Sequence, residues 1–449
     1  MKIPVCAIFD IGKTNKKLFL FNENYEIVLE KSTQFSEIQD EDGFPCEDVQ
    51  LLKDWVINSF GEVSQLEEYD IKALNFSTYG ASFVHLDSIG KVIAPLYNYL
   101  KPYPENLRKQ FYDTYGGEER FAQQTASPVL GNLNSGMVLY RLKYEEPALF
   151  TQIQYSLHLP QYLSFLFTNQ YFSDITSIGC HTNLWNFEKN EYHEWLSLEK
   201  ITEKLAPINS TIKSSTIQQS NRQQFNNRIV EPSTIGTGLH DSSAALIPYL
   251  ATFKEPFVLI STGTWCISLN PFNHISLTTN ELAQDCLAYM QYTGNPVKAS
   301  RLFAGNEHEE QTKRLATYFQ KPNDYFKTVK YDVQTIEKLN SEYISFAERD
   351  LSIFETYESA YHQLISDIIV QQKTSTELVT YNAPVKQLFV DGGFGKNEIY
   401  MSLLAKAFPE MEVYAASVAQ ATSLGAALAI HQDWNTQELP LNLIDLRRN

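Results

Sequence analysis

The sequence predicts an α/β protein of two related domains with a cleft between them, and three observations predict it. Two β-turn-β segments recur about half a chain apart, and the last part of the chain alternates strand with helix. The 449 residues also exceed what one ordinary core, built on roughly 150 residues, accommodates. Hydrophobic residues make up 43% of the chain, with 26 Tyr and 27 Phe, enough apolar surface for a chain folded throughout.

The elements follow in order. Residues 5–9 (VCAIF) form an apolar run, 10–17 a polar turn, 18–21 (LFLF) a second run, and 25–30 a third after Asn22-Glu23-Asn24. This reads as strand, turn, strand, turn, strand. Residues 209–227 are rich in Ser, Thr, Gln and Asn and precede Pro232 and the glycines Gly236 and Gly238, so the domain junction is placed there, dividing 1–237 from 238–449. The second β-turn-β segment runs from 257–260 through Ser261-Thr262-Gly263-Thr264 and back along 265–269. Residues 387–390 lead into Asp391-Gly392-Gly393-Phe394-Gly395, after which Tyr400, Met401, Leu403, Leu404 and Phe408 recur at helical spacing. A strand at 413–414 and a small-residue helix over 417–430 complete the alternation.

A net charge of -17 disfavours nucleic acid and anionic membranes as general partners, so any phosphate site must be built locally. The five cysteines are odd in number and show neither C-x-x-C pairing nor metal-ligand spacing, which fits a reducing cytoplasm. Asp10 ends the first apolar run far short of a signal-peptide core or a membrane span, and no targeting segment is visible.

Four segments carry chemistry, and each has a plainer reading beside it. In Asp10-Ile11-Gly12-Lys13-Thr14-Asn15-Lys16-Lys17, a tight turn at Gly12 can aim backbone N–H groups, Thr14 and Asn15 at phosphate oxygens, while Asp10 suits a magnesium-bound water. A hairpin with solvated lysines fits the same residues, and the spacing is not that of a Walker A loop. Gly263 and Thr264 form a second hairpin tip of this kind, or an ordinary β-turn, and Trp265 reads as a core aromatic. Asp391-Gly392-Gly393-x-Gly395 either seats a nucleotide or allows tight strand-helix packing; its departure from G-x-G-x-x-G disfavours a dehydrogenase. Asp241, in His240-Asp241-Ser242-Ser243, is by itself a helix N-cap or a functional carboxylate. His308-Glu309-Glu310-Gln311 is not H-E-x-x-H, the nine histidines show no metal spacing, and no G-x-S-x-G elbow occurs.

Taken in order, these segments resemble the FGGY family of carbohydrate kinases, within the actin-like, hexokinase-like ATPase superfamily. Asp10-Ile11-Gly12-Lys13-Thr14-Asn15 resembles the first phosphate motif and Ser77-Thr78-Tyr79-Gly80 the strand end that lines the sugar pocket. Pro147, His158-Leu159-Pro160 and Asp174-Ile175-Thr176-Ser177 resemble the middle section, and residues 261–264 the second phosphate motif. Gly392-Gly393 with Asn397, then residues 421–427, resemble the adenosine motif and its following helix.

The resemblance implies two actin-like (ribonuclease H-like) ATPase domains flanking a central cleft, and an ATP-dependent kinase using Mg²⁺. It implies Asp241 as the base that activates a sugar hydroxyl and Asp10 at the metal. Gly12, Lys13, Thr14, Asn15, Lys17, Gly263 and Thr264 would lie at phosphates, Gly392, Gly393 and Asn397 at the nucleoside, and Gly80, His240 and Asn295 at the sugar. His240-Asp241-Ser242 and Gly263-Thr264-Trp265 resemble the rhamnulokinase and fuculokinase branch, so a deoxy-ketohexose such as L-rhamnulose or L-fuculose is the expected substrate. Xylulose, glycerol, gluconate, or a non-catalytic actin-like sensor are the alternatives, and a homodimer is left open.

Overall fold

A computed structural model describes residues 2–209, 232–339, 344–383 and 385–448. Beyond Asn209, the junction expected at 209–227 lies outside the described residues.

The first β-turn-β segment forms with shifted edges. Strand β1 (Ile3–Ile11) pairs antiparallel with β2 (Lys16–Asn22), and β2 with β3 (Ile27–Thr33). The turn expected over 10–17 is shorter: Gly12 N–H donates to the Asn15 carbonyl at 2.9 Å, so Asp10 and Lys17 are strand residues paired across the ladder. The third strand starts at Ile27 because Tyr25 stands at φ 60, a conformation a bulky residue cannot carry into a strand, and its hydroxyl turns to His431 at 2.6 Å.

On β1 the side chains alternate, Cys6 and Ile8 to one face, Val5, Ala7 and Phe9 to the other, and all five are buried. A strand covered on both faces reads as a continuous apolar run for this reason. Strand β4 (Tyr69–Thr78) runs parallel to β1, and β5 (Thr234–Ile235) and β6 (Leu239–His240) pair in parallel with successive stretches of β4. The expected boundary after 237 therefore falls between two strands of the same sheet.

The second sheet takes up β7 (Phe257–Thr262), β8 (Cys266–Asn270), β9 (Cys286–Met290), β10 (Pro296–Leu302), β11 (Gln387–Gly392), β12 (Glu412–Ser417) and β13 (Asp445–Arg448), in the order β9-β10-β8-β7-β11-β12-β13. Its run β10-β8-β7-β11-β12 repeats the order and strand senses of β3-β2-β1-β4-β5. The two halves are thus built on one topological plan, as the two β-turn-β segments predict.

Helices α1 (Asp241–Thr252), α2 (Ala304–Tyr318), α3 (Tyr357–Thr380), α4 (Glu398–Ala407) and α5 (Ala421–Leu428) position the site. One core joins Ile8 and Phe19 of the first sheet, Ile247 of α1, Leu424 of α5, and Leu259 and Phe389 of the second, so α1 and α5 fill the space between the sheets. Their backbones touch: a Cβ on Gly425 would lie 1.8 Å from the Ala244 carbonyl oxygen. Helix α5, expected over 417–430, is shorter because β12 continues through Ser417 and Gln420 stands at φ 52. Residues 83–209 add a largely helical region packed around Phe111, Tyr140 and Trp195. Among the described residues, no helix is long and apolar enough to cross a membrane.

Candidate active site

In each sheet the parallel strands end side by side. Ile11 at the end of β1 pairs with Thr78 of β4, which pairs with His240 of β6; in the second sheet Thr262 of β7 pairs with Gly392 of β11. Open α/β sheets leave their ligand crevices at these carboxyl ends. All four chemistry-bearing segments lie there.

Asp241 is the first residue of α1 but not its cap: the N-cap is His240, and no side chain caps the helix. The Asp241 carboxylate instead accepts from the N–H of Ser242 at 2.6 Å and from its hydroxyl at 3.2 Å, both through Oδ1. Its side chain remains one-third exposed (33%) at the carboxyl end of the first sheet. Surrounding protein nevertheless strips most of the water from it, and this desolvation pushes its pKa up to about 6, only partly opposed by the two Ser242 bonds.

Asp10 ends up beside the start of α5. Its Oδ2 accepts hydrogen bonds from Thr422 and from Ser423, the latter at 2.7 Å. Burial raises its pKa against these two bonds; the charge of Asp241 raises it further and Lys17 lowers it. The two carboxylates are therefore close enough to feel each other. Thr422 and Ser423, expected with the adenosine motif, hold Asp10 across the two halves.

The lysines of the first turn are already engaged. Lys13 lies 2.9 Å from Glu37 and Lys17 3.3 Å from Glu30, while Lys16 is buried in an ion pair with Glu47, itself bonded by the Tyr79 hydroxyl. Thr14 and Asn15 sit exposed on the turn, Asn15 accepting from Gln34 at 2.8 Å.

Gly80 follows β4, where a Cβ would meet the His240 ring at 2.7 Å. That ring stacks on Tyr289 (centroids 5.6 Å apart, planes at 23°), and its Nε2 is 3.3 Å from Asp241 Oδ1. Burial holds the His240 pKa down to about 4, so the imidazole is neutral near pH 7. The backbone N–H of His240 donates to Thr176 Oγ1 at 3.0 Å, and that hydroxyl donates to the buried carboxylate of Asp174. Asn295 does not join this group: it is exposed on the β9–β10 turn, its amide donating to Thr293 at 3.3 Å.

Across the crevice, Gly263 and Thr264 are exposed at the β7–β8 tip. Gly305, in the first turn of α2, packs so closely beneath them that a Cβ would lie 1.8 Å from the Gly263 oxygen. Trp265, expected in the core, is 40% exposed with its ring 4.4 Å from Phe303, because the hairpin tip turns it outward before β8 begins. Gly392 has φ +98, and a Cβ there would strike the Thr262 oxygen at 2.0 Å. Thr262 Oγ1 donates to the Asp391 carbonyl (2.7 Å) and accepts from Phe394 N–H (3.1 Å), tying the hairpin to the glycine turn.

Beside that turn lies a cavity of about 540 Å³ walled by Gly263, His308, Phe326, Tyr361, Gly393 and Asn397. Its size and mixed lining suit a small organic ligand such as a nucleoside. Asn397 caps α4 by accepting from Ile399 and Tyr400 N–H, and its amide donates to the Tyr361 hydroxyl at 2.8 Å, which also contacts His308 Nε2 at 3.0 Å. Sequence reasoning missed His308, Phe326, Tyr361 and Tyr289, which stand in no motif. The glycine of Ala304-Gly305 at a helix start was the one available signal.

Comparison with known proteins gives the family of the chain. Residues 5–248 match the model of the FGGY family of carbohydrate kinases, N-terminal domain, and residues 254–438 that of carbohydrate kinase FGGY, C-terminal domain. A rhamnulokinase of Mannheimia succiniciproducens is 25% identical over 175 residues, 37% of this chain and 35% of that protein. Another, of Halalkalibacterium halodurans, is 23% identical over 279 residues, 58% of this chain and 54% of its own. The chain thus spans between about a third and about half the length of these curated relatives. Among solved structures, a carbohydrate kinase from Novosphingobium aromaticivorans superposes with a TM-score of 0.80 at 19% identity, over 100% of this chain and 94% of that one. A ligand-bound xylulose kinase from Lactobacillus acidophilus gives 0.78 at 18%, over 96% and 89%. These likenesses show the two-domain actin-like fold.

Proposed function

The chain belongs to the FGGY family of carbohydrate kinases, and on that premise we propose that it transfers the γ-phosphoryl group of ATP to a sugar hydroxyl, with Asp241 as the base. One observation carries the reading: a partly exposed carboxylate with a raised pKa stands at the start of α1, electrostatically coupled to Asp10 and facing neutral His240. As the sugar oxygen bonds to the γ-phosphorus and the bond to the β–γ bridging oxygen breaks, ADP leaves and the hydroxyl proton passes to Asp241. His240, fixed by Tyr289 and the Asp174–Thr176 relay, orients that carboxylate and the sugar beside Gly80.

The turns at Gly12–Lys17 and Gly263–Thr264 offer backbone N–H groups and hydroxyls to phosphates, and the cavity beside Gly392, Gly393 and Asn397 takes the nucleoside. Asp10 supplies the hard oxygen donor that Mg²⁺ prefers, held by Thr422 and Ser423; bound there through water, the ion would neutralise phosphate charge. Because Lys13 and Lys17 already pair with Glu37 and Glu30, they reach phosphate only by exchanging partners. The five free, buried cysteines fit a reducing cytoplasm.

A deoxy-ketohexose such as L-rhamnulose is the substrate favoured by the two rhamnulokinase relatives. ADP release measured against L-rhamnulose, L-fuculose, xylulose, glycerol and gluconate tests both levels. Stimulation by another member of the panel replaces the substrate, and ATP binding without stimulation by any sugar replaces the enzyme with a sensor.

Two further outcomes are expected. Activity requires the Asp241 carboxylate, so kcat/KM should fall about tenfold per pH unit below about pH 6 and level off above it. His240 stays neutral through that range, and Asp174, whose pKa is also about 6, lies one relay removed, so Asp174→Asn should keep the limb. Gly80→Ala drives a methyl into the His240 ring and should raise the sugar KM by about tenfold or more while leaving the ATP KM in place.

A further inference from the structure

Cys180 and His181 are adjacent in sequence, His240 lies far along the chain from them, and the three show no ligand spacing, yet the fold gathers them: one donor atom from each, all lying within 4.8 Å of one another. The helical turn Ile175–Ile178 delivers Cys180 and His181, and β6 delivers His240. All three side chains are buried.

Their bonding leaves donors free. His181 uses Nδ1 on the Leu133 carbonyl at 3.0 Å, which leaves Nε2 for a ligand. His240 lies against Asp241 Oδ1 through Nε2, and its Nδ1 is a buried polar atom with no hydrogen-bond partner, in a residue only 3% exposed. The Cys180 thiol donates weakly to the Ser177 carbonyl at 3.3 Å, and its sulfur is also hydrogen-bonded by the backbone at Ala81. An unpartnered buried nitrogen carries a desolvation cost that a metal ion would remove.

We propose that Cys180, His181 and His240 form a binding site for a zinc-class divalent cation. One sulfur and two imidazole nitrogens are the donor set of Zn²⁺ and Co²⁺, whereas Mg²⁺ demands oxygen. Tetrahedral bonds of about 2.0–2.3 Å place donors roughly 3.5 Å apart, so modest side-chain rotations close the set. The charge of Asp241 reaches Cys180 and favours a cation there. On binding, the thiol gives up its proton to solvent and the thiolate takes the ion, one proton released per ion. The ion would join the helical region to the end of the first sheet and draw on the imidazole that otherwise faces the sugar. This goes beyond sugar phosphorylation, and it is tested without sugar or ATP, so the two stand or fall separately.

The test is a titration of the chelator-treated, reduced full-length protein with Co²⁺ and then Zn²⁺. One Co²⁺ per chain should bind with a near-ultraviolet thiolate-to-metal charge-transfer band, displaced by stoichiometric Zn²⁺ and unmoved by excess Mg²⁺. Cys180→Ser should abolish the band and weaken Zn²⁺ at least about tenfold; His181→Gln should weaken Zn²⁺ similarly. Cys286→Ser, at a buried thiol outside the cluster, should change neither. Folding of each variant is checked by circular dichroism. Absence of the band in the wild-type protein overturns the site, whatever the variants do, and so does a band that survives Cys180→Ser.

Discussion

Asp241→Asn is expected to lower sugar-stimulated ADP release by at least about 10²-fold, the usual loss for a general base, while the fold and ATP affinity stay close to wild type. The substitution is nearly isosteric. An amide oxygen can still accept from Ser242 N–H and Oγ, so the local turn survives, and α1 loses no cap because none of its capping depends on this side chain. What disappears is the proton acceptor. An N-cap residue would behave the opposite way: activity would persist and stability would fall by about 1 kcal/mol. Near-normal turnover in a folded Asp241→Asn protein removes the base assignment, and the residual activity of the variant should also lose the limb near pH 6.

Gly425→Ala is expected to destabilise the whole protein by about 2 kcal/mol or more, although it replaces glycine by the best helix former. Helix propensity alone favours alanine by about 1 kcal/mol. Against this stands a Cβ 1.8 Å from the Ala244 carbonyl, a backbone atom of α1 with no rotamer to retreat into. Overpacking of this kind costs typically 1–3 kcal/mol and sometimes more, so the steric term wins. The shift in denaturant midpoint measures it, and a stabilised Gly425→Ala would mean that α1 and α5 do not pack as described. Since α1 carries Asp241 and α5 holds Asp10 through Thr422 and Ser423, activity should fall along with stability.

Much of the architecture was legible in the residues alone. Apolar runs bounded by turn residues located β1, β2, β7, β8 and β11 to within a few positions, because strands buried on both faces must be continuously apolar. Two copies of that pattern predicted two related halves, and the repeated strand order bears this out. Edges were less legible: Tyr25 and Gln420 fail to continue their elements for reasons of backbone conformation, which an amphipathic pattern does not record. Trp265 was expected in the core because large aromatics usually are, and only the hairpin tip's outward turn decided otherwise.

The site divides in the same way. Asp10, Asp241, Gly263 and Gly392 could be singled out because carboxylates and glycines at strand ends are local features, visible within a few residues. The sequence by itself determined two topologically matched α/β halves, the order of the phosphate-type turns and the identity of the acidic residues. Only the tertiary structure decided that Asp241 does not cap its helix, that Thr422 and Ser423 grip Asp10, that His308, Phe326 and Tyr361 wall the cavity, and that Cys180 and His181 meet His240. The physical reason is that, apart from the local bonds of Asp241 to Ser242, each of these contacts joins segments far apart in the chain. Their distances are fixed by how helices from separate parts of the chain pack against the two sheets, and no local periodicity or spacing encodes that packing.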